Sequence, residues 1–118
     1  MAKTPIDIPL VHLLYETYSF WHTLILKFPK SQRYTLGLTC QKYLLEILEN
    51  ILAAAATTDI QEKITSLKIA SKKLDTLKLL IRLAKDCQCL PNPAYLELES
   101  KLHEAGRMLG GWLKASTP

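Results

Sequence analysis

The sequence holds no Cys-x-x-Cys pair, no His-Glu-x-x-His or Glu-x-x-His arrangement, no Gly-x-Ser-x-Gly elbow and no glycine-rich phosphate loop. These absences remove the commonest signatures of zinc binding, dithiol redox chemistry, serine acyl transfer and nucleotide hydrolysis. Cysteine is scarce and odd in number, with Cys40, Cys87 and Cys89 alone, which points to reduced thiols rather than a disulfide framework. His12, His22 and His103 fall on different predicted helices at no ligand spacing, and Glu46, Glu49, Glu97 and Glu99 read as solvated acids. No catalytic residue, metal ligand or cofactor is expected, and the chain reads as a non-enzyme. A long apolar run is also missing, because His12, Glu16 and His22 interrupt the stretch from Ile8 to Phe28. Only Lys3 precedes that stretch and no small-residue cleavage site follows it, so the expectation is a soluble, cytoplasmic protein without a membrane partner.

What the chain does have is helical periodicity. With 118 residues and 48% hydrophobic content, one domain spanning 1–118 can enclose one core. Breakers divide it into four predicted helices, about 10–27, 32–56, 60–87 and 93–114. Pro5 and Pro9 precede the first, and Phe28-Pro29 ends it. Ser31 is the expected cap of the second, Asp59 with Glu62 forms a capping box for the third, and Asn92-Pro93 opens the fourth. Short connections make sequential helices antiparallel, so the fold class is all-α, an up-down-up-down four-helix bundle.

Two patterns exceed what a bundle core needs. Helix one carries apolar residues on more than one face. Leu13, Phe20, Trp21 and Leu24 accordingly read as an oligomer interface, against the plainer reading of a wide core face. Helix three, from Ile60 to Asp86, holds seven basic residues against three acids, a surplus of +4 that equals the net charge of the chain. Its apolar side is Leu67, Ala70, Leu74, Leu77, Ile81 and Ala84, and the opposite arc bears Lys68, Lys72, Lys78, Arg82 and Lys85, with Lys73 at the flank. Such an arc can neutralise successive phosphates, giving salt-sensitive binding of RNA or DNA with little sequence preference. A merely solvated face is the alternative. Lys27, Lys30 and Arg33 form a second, weaker basic cluster.

Three of the four glycines call for a physical reason. Gly37 inside a helix implies a close packing contact, and Gly110 and Gly111 imply either such a contact or the end of helix four, with Trp112 anchoring the last turn.

The proline-led turn Lys27-Phe28-Pro29-Lys30 with Arg33-Tyr34-x-x-Gly37, the late Arg82-Leu83-Ala84 and the closing Gly106-Arg107-Met108-Leu109-Gly110-Gly111-Trp112 together resemble the accessory variability determinant family of diversity-generating retroelements. The resemblance implies a ring-like homo-oligomer, a homopentamer, of four-helix protomers with a basic surface. It implies as partners the element's reverse transcriptase and nucleic acid, notably template RNA and its cDNA, in support of mutagenic reverse transcription. Lysine predominates here over arginine, which suits diffuse phosphate contact. The competing reading is an oligomeric scaffold like the four-helix proteins encoded in ribosomal RNA intervening sequences, with no reverse-transcriptase partner. A bundle enzyme ranks third, since no buried polar cluster is legible.

Overall fold

The structure, a computed structural model, describes residues 7–118; Lys3 and Pro5 lie outside the described residues. Helix α1 runs Pro9–Ile25. Helix α2 begins as Lys30–Gln32, passes through a π-helical turn Arg33–Gly37 and continues as Leu38–Ala56. Helix α3 is Ile60–Asp86 and α4 is Asn92–Ser116. No strand occurs among the described residues. Helix α2 packs along α3 and α3 along α4, while α1 closes the ring by touching both α2 and α4, the neighbour pattern of a four-helix bundle.

The core rows explain the packing. Leu14, Thr17, Trp21, Leu24 and Phe28 on α1 and the turn after it alternate three and four residues apart, as do Cys40, Leu44, Ile47, Ile51 and Ala54 on α2. Helix α3 supplies Leu67, Ala70, Leu74, Leu77, Ile81 and Ala84, and α4 supplies Leu98, Leu102, Ala105 and Leu109. A sustained alternation of this kind keeps one seam facing its neighbours with a slight left-handed supercoil. Thr17 is the one buried polar residue among the described residues, and its hydroxyl donates to the Leu13 carbonyl at 2.7 Å, so its burial leaves no donor unpaired.

The helix ends depart from expectation in instructive ways. Pro29, not Ser31, occupies the N-cap position of α2, and Asn92 is already helical with Pro91 before it, so neither polar side chain caps. Asp59 does cap α3, its Oδ1 accepting from Gln61 N at 2.9 Å and from Glu62 N at 3.4 Å. The return half of the box is relayed: Asp59 N donates to Thr57 Oγ1 at 3.1 Å, and that hydroxyl donates to Glu62 Oε2 at 2.8 Å. Helix α4 does not stop at its glycines but continues to Ser116.

Several expected roles are corrected. Trp21 is fully buried and Leu24 nearly so, both inside the protomer core, where Trp21 meets Phe28 edge-on at 5.3 Å. They are therefore unavailable to a neighbouring subunit; Leu13 and Phe20 are half-buried on the core's flank. Gly110 and Gly111 face open space with nothing within 4 Å of an added Cβ, so no close packing occurs there. Gly37 does sit tightly, since an added Cβ would lie 3.1 Å from Ile25 Cγ1. Trp112 is half-buried against the core.

Candidate nucleic-acid interface

The basic residues of α3 sort by their place relative to the core seam. Lys68, Asp75 and Arg82 follow one another at heptad spacing in one row, and Lys72 shares the outermost row with Leu79 and Asp86. Lys78 and Lys85 occupy the flank beside α4, and Lys73 the flank beside α2. The expected single stripe is thus two clusters, Lys68 with Lys72 and Lys78 with Arg82 and Lys85, separated by Asp75, with the exposed Leu79 inside the second.

Not every cation is free. Lys73 Nζ lies 2.8 Å from Glu46 Oε2 and 5.5 Å from the Tyr43 ring centroid, so it ties α3 to α2. That hydrogen bond holds the Glu46 carboxyl below its ordinary range and raises the Lys73 ammonium above its own. Arg33 turns inward, its Nη2 donating to the carbonyls of Leu26 at 2.9 Å and Phe28 at 3.4 Å. It satisfies backbone oxygens left open where α1 ends. Lys73 and Arg33 are thus both engaged within the protomer, whereas Lys68 and Lys72 are exposed.

Four of the remaining cations, Lys27, Lys78, Arg82 and Lys85, gather around the first half of α4. Lys78, Arg82 and Leu79 from α3 face Tyr95, Glu99 and His103 from α4 across a cleft of about 320 Å³. The Tyr95 hydroxyl donates to Glu99 Oε2 at 2.6 Å, which together with burial and the Glu99 charge raises the phenol above its usual range, opposed by Arg82. Lys85 Nζ stands 4.7 Å from the Tyr95 ring centroid, and Lys85 also lines a second cavity with Lys27, Asn92 and Cys89. The structure therefore brings Lys27 to the α3 cluster. Lys30 is exposed at the start of α2 and lines neither cavity. Lys68 and Lys72 are exposed on the N-terminal half of α3.

Sequence reasoning missed the α4 wall. Tyr95, Glu99 and His103 recur every fourth residue, which puts them on one face, and that spacing was readable. It also missed Gly106, where an added Cβ would lie 3.1 Å from Lys78 Nζ, so glycine leaves room for the lysine to cross α4.

A family described as bAvd-like matches residues 10–116. The chain belongs to the bAvd-like family. That is the accessory variability determinant type to which the Lys27–Gly37 turn and the Gly106–Trp112 segment point. No curated protein matches the chain. The bAvd-like match covers all four helices, including both walls of the cleft and the Lys27 turn. Within this bAvd-like bundle burial above all, with nearby Cys89, pushes the Cys40 thiol up to about 12, and burial first, then nearby Cys87, raises Cys89, so these two buried thiols are poor nucleophiles. No helix among the described residues is long and apolar enough to cross a membrane.

Proposed function

We propose that this bAvd-like protein is a nonenzymatic accessory factor of a diversity-generating retroelement, binding the element's reverse transcriptase and its template RNA or cDNA through a basic surface. The observation that carries this reading is the position of Lys68, Lys72, Lys78, Arg82 and Lys85, all of which lie outside the core seam of α3. Lys27 extends the surface past the start of α4. The polymerase active site belongs to the partner, and this chain supplies phosphate contacts and a docking surface. Repetition of the surface around a homopentameric ring multiplies those contacts on one strand.

The test is a salt titration of RNA binding by the wild-type protein and by the combined variant Lys72→Glu, Lys78→Glu, Arg82→Glu. Phosphate binding releases condensed counterions, so removing one cation from its phosphate on a single strand lowers the log–log salt slope by about 0.7. The variant should bind more weakly with a shallower slope while circular dichroism stays unchanged. Equal slopes and affinities would remove α3 from the interface.

A further inference from the structure

The α3–α4 cleft has features that a generic phosphate track does not need. A row of cations suffices for phosphate binding, yet here the cations flank a concave space that also presents a carboxylate and apolar surface. At about 320 Å³ the cleft falls at the lower end of the roughly 300–1,000 Å³ typical of small-ligand pockets, a size for one nucleoside unit. Lys78 and Arg82 stand on the α3 side, with the exposed Leu79 beside them. On the α4 side Glu99 is exposed, and its Oε2 is held by the Tyr95 hydroxyl at 2.6 Å. A carboxylate has about four acceptor positions, so this contact orients Glu99 and leaves acceptors open, including all of Oε1. His103, one turn further on, offers an exposed aromatic ring against which a base can stack.

We propose that this cleft is a guanine-nucleotide seat. Lys78 and Arg82 take the phosphate, Leu79 and His103 sandwich the base, and Glu99 accepts from the base edge. The carboxylate selects the base by chemistry. Guanine alone among the RNA bases presents two adjacent donors, N1–H and the 2-amino group, on its Watson–Crick edge. Uracil sets a carbonyl on either side of its single N–H, which a carboxylate repels. Adenine and cytosine pair one amino donor with a neighbouring acceptor. The inference rests on the nucleic-acid reading where the nucleotide is part of a strand; a free guanine nucleotide is the other source of the same chemistry.

Two measurements separate these. Fluorescence anisotropy would compare a uridine 12-mer with the same strand carrying one central guanosine, and amide NMR would compare 5′-GMP with 5′-UMP. The guanosine strand should bind about fivefold more tightly, the low end for a two-donor contact at an open site. Glu99→Gln should abolish that ratio, and Glu97→Gln, which changes the charge equally outside the cleft, should keep it. Removal of the negative charge raises affinity for both strands alike, so the ratio is the readout. If the two strands bind equally while GMP alone shifts the Leu79, Arg82 and His103 amides, the seat takes the free nucleotide. If neither strand binds, the nucleic-acid reading falls and the GMP-against-UMP comparison decides the seat by itself. Equal strand affinities with no GMP-specific shifts, or a guanosine ratio that survives in Glu99→Gln, would overturn the proposal.

Discussion

At the scale of single residues, charge in a sequence does not say what a cation is doing. Lys73 and Lys72 are neighbours in the chain, yet one is locked to Glu46 at 2.8 Å and the other is exposed. The difference is which flank of the α3 seam each occupies, and it depends on Glu46 arriving from α2. Because Glu46 is held below its ordinary range, its contribution to stability is present above that range and is lost as pH falls through its folded value. Lys73, raised, keeps its share until the pH rises past the ordinary lysine range. Glu46→Gln should therefore melt below wild type at pH 7, and the gap should shrink and close as the pH falls below the ordinary carboxylate range, checked by thermal melts in increasingly acid buffer; a gap that persists in strong acid would deny the ion pair its role. Glycine shows the same dependence on surroundings. Gly110→Ala and Gly111→Ala, in open helical positions, should each stabilise by up to about 1 kcal/mol. Gly37→Ala should gain less or lose, because Ile25 Cγ1 must give way at 3.1 Å. Calorimetry on the three variants would rank them, and an equal gain at all three would contradict the close approach at Gly37.

At the scale of elements, the four helices and their order were legible, because a three-four alternation of Leu, Ile and Ala is a local signal. The ends were less so, since they turn on backbone hydrogen bonds that residue type only weakly implies. Helix α3 closes without glycine: Gln88 adopts a left-handed φ of 62°, Gln88 N donates to Lys85 O at 2.9 Å and Cys89 N to Ala84 O at 2.8 Å. This is the paired-bond C-terminal motif usually built on glycine, and it turns Cys89 and Leu90 into the core. Gln88 is exposed, so Gln88→Gly should relieve the strain and stabilise by about 1 kcal/mol, measured by chemical denaturation. A loss would mean the side chain contributes more than the conformation costs. The π-helical turn Arg33–Gly37 was equally illegible, although the glycine inside it was the visible trace. Its effect is local and useful, for it lies in the segment where Arg33 folds back onto the end of α1.

At the scale of the whole molecule, the surface left over by the bundle bears on assembly. Once Trp21 and Leu24 are assigned to the core, the apolar excess of α1 moves to its α2 side. There Tyr15 is 58% exposed and Leu45 46% exposed, and both line one open groove with Tyr18 and Leu48. On α2, Leu38 and Leu45 fall one heptad apart and are both exposed, followed by the half-buried Leu52, a second apolar row outside the core seam. Contiguous exposed apolar surface of this kind favours association between protein surfaces. The basic clusters on α3 and around α4 lie on the opposite pair of helices, so a ring closed through the α1–α2 side would leave them uncovered. Homo-oligomerisation through this side then predicts that Tyr15→Glu with Leu45→Glu lowers the mass seen by light scattering toward that of the 13.4 kDa monomer. Both positions face solvent in the protomer, so helicity should hold. The same variant should weaken RNA binding, because separated protomers cannot engage one strand at several points, while Lys72→Glu with Arg82→Glu weakens it without changing the mass. A wild-type protein that is already monomeric at micromolar concentration, or a double variant of unaltered mass, would take the interface away from this face.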